Sequence, residues 1–149
     1  MQVTDTPYQQ LTVGQTAQYS KTLTERDIAL FADVSGDYNP VHLDAAYAAT
    51  TPFSERIGHG MWTGALISAA VAKVLPGPGS VYVSQSIKFT RPVKLGDTVT
   101  ITLEIVDKQD RRRLTTLACT ATNQQNEKVA TGEAMVMAPD APLTVDFPD

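Results

Sequence analysis

The sequence predicts an α+β fold in which a curved antiparallel sheet of about five strands wraps one long central helix. Three observations carry this. The longest apolar run, Ile57 to Leu75, is interrupted by His59 and Lys73, carries three glycines and ends in Pro76-Gly77-Pro78-Gly79, a strong helix stop. Everything after it is rich in Val, Ile, Thr and Tyr, with period-two alternation in Thr98-Val99-Thr100-Ile101-Thr102-Leu103. The connectors between those later segments are short, which favours antiparallel pairing of successive strands.

The elements follow in order. Gln15 to Leu23 reads as a first strand. Thr24 and Asp27 form a capping box that opens a helix over Glu25 to Val34, with Ile28, Leu30, Phe31 and Val34 as its apolar stripe and Gly36 as its stop. Residues 37 to 42 form a loop, after which Asp44 caps a short Ala-rich helix, Ala45 to Thr50, that Pro52 ends. Residues 53–58 connect to the long helix, His59 to about Leu75. Its wholly apolar character implies burial on nearly all sides. Four strands follow, at Ser80 to Thr90, Thr98 to Val106, Leu114 to Thr122 and Val129 to Met137. Ala138 to Asp149 contains Pro139, Pro142 and Pro148 and reads as an exposed tail.

Composition narrows the function. The 149 residues suit one domain, with a core over about 15–138, large enough to bury roughly 68–70% of the unfolded surface. A net charge of −4 argues against a nucleic-acid partner. The apolar run has the wrong flanks for a membrane span. The single cysteine, Cys119, excludes an internal disulfide and suits a reducing compartment. The polar first 15 residues lack the segments of a secretory signal, so a cytoplasmic protein is expected. The only two histidines, His42 and His59, lack partners at metal-ligand spacing, and no metal is expected. There is no phosphate-cradling loop after a strand and no Gly-x-Ser-x-Gly elbow.

The most informative segment is Asp37-Tyr38-Asn39-Pro40-Val41-His42. Asp37 and His42 are five apart, so a helix would not align them, and Pro40 disfavours helix at Asn39. A bent, extended loop is expected. Such a loop can aim a carboxylate and an imidazole at one water molecule, and imidazole titrates nearest to working pH. The same residues also suit a turn closed by a local hydrogen bond. A second candidate segment is Gly58-His59-Gly60-Met61. Backbone N–H groups at a helix start, here Gly60 and Met61, can meet negative charge developing on a carbonyl oxygen. The His59 side chain is expected only to pack or hydrogen bond locally. Gly60, Gly64, Ser68 and Ala72 fall four apart and make a ridge of small side chains, expected to pack closely on the sheet.

The run Phe31 to His42, then His59-Gly60-Met61, Gly79-Ser80-Val81-Tyr82 and Phe89-Thr90-Arg91-Pro92-Val93, resembles the MaoC-like (R)-specific enoyl-CoA hydratases over about residues 15–138. The resemblance implies a hot-dog fold, a homodimer whose sheets join edge to edge, and addition of water to a trans-2-enoyl-CoA giving an (R)-3-hydroxyacyl-CoA. It puts the chemistry on Asp37 and His42, with the motif's asparagine at Asn39, a supporting helix serine at Ser68 and the oxyanion N–H at Gly60. Coenzyme A enters only as part of the substrate, and no other cofactor is implied. A slot beside the helix, walled by Trp62, Met61 or Leu66, is the expected berth for the acyl chain. Among Lys88, Arg91, Lys94 and Arg111-Arg112-Arg113, Arg91 is carried as the candidate for a coenzyme A phosphate, while the arginine run suits a solvated hairpin turn. Three rival readings stay within this fold: dehydration of another 3-hydroxyacyl group on CoA or an acyl carrier protein, acyl-CoA thioester hydrolysis, and a non-catalytic acyl-binding partner subunit. Thioesterases of this fold often need a carboxylate on the central helix, and His59 to Leu75 has none.

Overall fold

A computed structural model describes residues 1–148. Its elements are β1 (Gln2–Thr4), β2 (Thr16–Thr22), α1 (Glu25–Ser35), α2 (Pro40–Leu43), α3 (Ala45–Ala49), α4 (Gly60–Lys73), β3 (Val81–Phe89), β4 (Thr98–Gln109), β5 (Leu114–Thr122), β6 (Lys128–Met137) and β7 (Thr144–Asp146). The main sheet has five strands in the order β2-β4-β5-β6-β3, every pair antiparallel, and α4 lies against it. This is the α+β arrangement the sequence predicts.

Local chemistry explains the boundaries. Thr24 and Asp27 form the reciprocal capping box, with the Asp27 carboxylate accepting from the Thr24 N–H at 2.9 Å, and Gly36 closes α1 with a left-handed φ of 78°. Along β4, Val99, Ile101, Leu103 and Ile105 are all buried, the alternate positions of a strand with one face on the core. They meet Trp62, Leu66, Ile67, Ala70 and Val71 from α4. Gly132 on β6 is needed where that strand meets β3, because a Cβ there would stand 2.0 Å from the Ser86 carbonyl oxygen.

Four expectations are corrected. The segment before β4 does not close a hairpin with β3. Instead β3 pairs with β6, and residues 93–96 spend their backbone on the segment before α4 and the end of β2, with the Gly58 N–H donating to the Val93 carbonyl at 2.7 Å and the Gly96 N–H to the Leu23 carbonyl at 2.9 Å. The long helix is also not sheathed on all sides. Its inner face is buried, but Met61, Ala65 and Ser68 face outward and are exposed, because a helix stripe that meets one sheet covers only part of the circumference. The ridge through Gly64 and Ser68 therefore lies away from the sheet. Finally, the carboxy-terminal segment is not a free tail. β7 pairs with β1, the Asp5 N–H donates to the Leu143 carbonyl at 3.0 Å, and Ala138 is buried; Asp149 lies outside the described residues. Strands of three residues separated by most of the chain leave no periodic signal.

Candidate active site

Asn39 is extended and its side-chain oxygen accepts from the Val41 N–H at 3.2 Å, so it caps a single helical turn, Pro40–Leu43, whose first position suits proline's fixed φ. The expected extended loop is thus half right, since His42 rides on that turn. Asp37 lies before it, with its Oδ1 accepting from the Asn39 N–H at 3.1 Å and its own N–H donating to the Ser35 hydroxyl at 3.1 Å. These bonds turn Oδ2 toward His42, leaving it 3.9 Å from Nε2.

The other side of the site is residues 56–58. The Ile57 N–H donates to the Val41 carbonyl at 3.3 Å, and the Arg56 Nε–H to the His42 carbonyl at 2.7 Å, while the Arg56 guanidinium grips Glu25 at 2.9 Å through both nitrogens. The Ile57 carbonyl lies 2.8 Å from His42 Nδ1. A carbonyl oxygen only accepts, so Nδ1 carries the hydrogen, and in the neutral ring Nε2 is left bare. Burial pushes the His42 imidazole below its usual value of 6.5; the Ile57 hydrogen bond raises it, His59 lowers it and Asp37 raises it. His42 is therefore held as a neutral base with its free lone pair toward Asp37.

His59 takes a larger part than local packing. It is buried, its ring stacks on His42 with centroids 3.9 Å apart at 29°, and Phe31 covers it at 5.0 Å. Its Nε2–H donates to the Asp37 carbonyl at 2.9 Å, and Nδ1 has no partner among the described residues. The only sequence signal was a histidine at the start of an otherwise apolar run.

A cavity of about 420 Å³ opens beside these rings, lined by His42, His59 and Gly60 at its polar end and by Phe53, Phe89, Val93 and Val129 elsewhere. The N–H groups of Gly60 and Met61 begin α4 and have no acceptor among the described residues. A Cβ on residue 60 would come within 3.1 Å of the Phe89 ring, so glycine keeps this corner open. The apolar walls correct the expected slot: Trp62 and Leu66 point into the core, and the Met61 side chain faces outward.

His42 and Gly60 line the cavity and Asp37, 3.9 Å from His42, lies outside its lining, whereas Asn39 serves as a helix cap and Ser68 lies exposed two turns along α4, also outside the cavity. Arg91 lines the cavity and pairs with Glu127 at 3.2 Å. It also lines a second, more polar hollow of about 400 Å³ that shares Phe53 and Pro92. The Arg111–Arg113 run is the β4–β5 turn, with Arg111 and Arg112 exposed. Asp37, His42 and His59 each offer a ligand atom within 4.8 Å of the others, which the spacing argument did not foresee. Each ring spends one nitrogen on a backbone carbonyl, His42 Nδ1 on Ile57 and His59 Nε2 on Asp37, which leaves one lone pair on each neutral ring.

The MaoC like domain model matches residues 9–128. The chain belongs to the MaoC-like domain family. Among curated relatives it is 44% identical over 132 residues to the (R)-specific enoyl-CoA hydratase of Rhodospirillum rubrum, covering 89% of this chain and 91% of that one. It is 43% identical over 132 residues to a 3-hydroxybutyryl-CoA dehydratase of Methylorubrum extorquens, covering 89% and 83% respectively. The unliganded structure of the R-hydratase PhaJ1 from Pseudomonas aeruginosa superposes with a TM-score of 0.95 at 54% identity, covering all of this chain and 96% of that one. This MaoC-like chain thus shares the hot-dog fold of that hydratase.

Proposed function

We propose that this MaoC-like protein is an (R)-specific enoyl-CoA hydratase, a carbon–oxygen lyase that also runs in the dehydrating direction. The observation that carries the reading is the 3.9 Å gap between the bare Nε2 of His42 and Oδ2 of Asp37. A water oxygen at about 2.8 Å from both acceptors closes that triangle with an angle of about 90°, so one molecule can donate to each. As its oxygen bonds to C3 of the enoyl group, the pair takes its proton and returns one to C2. Both additions occur on one face. Negative charge on the thioester oxygen is met by the N–H of Gly60, an interaction worth about 10²–10³ in rate. The activities for which the relatives are named, hydration of enoyl-CoA and dehydration of 3-hydroxybutyryl-CoA, are the two directions of this one reaction.

Asp37 and His42 are the catalytic residues of this proposal, Gly60 and Met61 supply the oxyanion N–H groups, and Arg91 is the candidate cation for a coenzyme A phosphate. No cofactor beyond the substrate's coenzyme A is invoked. Thioester hydrolysis is disfavoured because α4 carries no carboxylate. A homodimer is part of the reading. The β3 edge is unpaired among the described strands and exposes Val81, Val83 and Phe89, and the outward face of α4 exposes Met61. The opposite edge, β2, is instead polar and carries Lys21. A cytoplasmic setting suits the buried free thiol of Cys119. The test is a spectrophotometric assay of crotonyl-CoA hydration with the product's configuration determined. An (R)-3-hydroxy product is expected; release of free thiol without hydration overturns the assignment.

A further inference from the structure

Asp37 and His42 sit on one loop, yet no direct hydrogen bond joins their side chains. Their separation needs an outside reference, and one buried ring contacts both. His59 presents its face to His42 at 3.9 Å and its Nε2–H to the Asp37 carbonyl at 2.9 Å, while Phe31 closes its far side. It is fixed in turn by the backbone, because it is the N-cap of α4 and Gly58 before it is bound to Val93 at 2.7 Å. The ring therefore ties the loop that bears the two groups to the helix whose N-terminus faces the cavity.

We propose that His59 is a positioning residue for hydration: it clamps Asp37 and His42 at the spacing that holds one water, and sets both against the Gly60 N–H. The proposal rests on the hydratase reading. It distinguishes two features of the ring, the stacked face and the single N–H donor. His59→Phe keeps the face and deletes the donor, while His59→Gln keeps an amide N–H at the reach of Nε2 and deletes the ring.

Loss of the donor frees the Asp37 carbonyl, and a misplacement of about 1 Å lowers turnover about 10²-fold. The expected result is that His59→Phe lowers kcat for crotonyl-CoA about 10²-fold with KM within about threefold, and that His59→Gln recovers about tenfold of that loss. The acid limb of kcat/KM moves up toward 6.5 in both variants, since burial still lowers His42 but the charge of the His59 imidazole, which lowers it further, is gone. Near-normal kcat in His59→Phe overturns the proposal. So does a glutamine variant no better than phenylalanine, or parallel losses in kcat and Tm with an unmoved pH limb. Should the phenylalanine variant fail to fold, the glutamine variant decides alone, support being kcat within about tenfold of wild type. Wild-type protein that hydrates no enoyl-CoA sinks the hydratase reading instead. In that case a slowly exchanging His59 Nε2–H in long-range ¹H–¹⁵N spectra still reports the clamp, and a freely exchanging one removes it.

Discussion

At the scale of single residues, the proposed chemistry depends on which nitrogen of His42 is occupied. Nδ1 is committed to Ile57 and Nε2 is not, so protonation would add a hydrogen at the nitrogen that must accept from water. Because burial lowers this imidazole, the neutral base persists below pH 6.5. The acid limb of kcat/KM is therefore expected below 6.5, and a limb above that value contradicts the described environment. The same shift acts on stability. The folded state binds fewer protons than the unfolded chain between the depressed pKa and 6.5, so stability contributed by neutral His42 is present above 6.5 and lost as pH falls through that window. In urea titrations across pH, His42→Gln should flatten that slope. Arg56 acts on the same group through its backbone, holding the His42 carbonyl while pairing with Glu25 on α1. Arg56→Ala should lower kcat about tenfold while Glu25→Ala, which spares the carbonyl bond, lowers it less; steady-state kinetics on the two variants checks this order.

At the scale of elements, some features were readable because their cause is local. The Thr24–Asp27 capping box, the Gly36 stop and the limits of β5 all depend on residues within one turn or one strand. The β3–β6 pairing was not, since nothing in Val93 to Asp97 announces that its backbone bonds go to Leu23 and Gly58 and not to a hairpin with β3. The site divides in the same way. Asp37 and His42 were legible as a hexapeptide, whereas the stack of His42 on His59, 17 positions away, depends on the bonds that tie Arg56 and Ile57 to Val41 and His42. The apolar lining by Phe53 and Phe89 was equally hidden, as it joins a loop to a strand end. Gly132 gives this scale its own test. Gly132→Val drives a side chain into the Ser86 carbonyl and should detach β3, costing more than about 3 kcal/mol in denaturant unfolding. A loss below about 1 kcal/mol would show that β6 and β3 can separate freely.

At the scale of the whole molecule, two apolar surfaces are exposed among the described residues, the β3 edge and the outward face of α4. In the proposed homodimer a second copy joined along β3 would cover both, which would account for a helix far more apolar than one sheet requires. A lysine at Val83, 46% exposed at that edge, places charge in the join. Val83→Lys is expected to convert a dimer to a monomer in light scattering, and a wild-type monomer with unchanged activity removes this part of the account. The paired termini, β1 with β7, stand apart from the site and brace the end of α4, where Lys73 lies 5.5 Å from the Tyr19 ring and 5.8 Å from Phe147.

In the proposed mechanism Asp37 and His42 share one water, and the rate of crotonyl-CoA hydration by Asp37→Asn tests that sharing. Asparagine preserves the loop's acceptor to Asn39 yet removes the charge from the oxygen facing Nε2. Turnover is expected to fall by about 10³-fold or more with folding intact by circular dichroism. Turnover within threefold of wild type would contradict the shared-water mechanism.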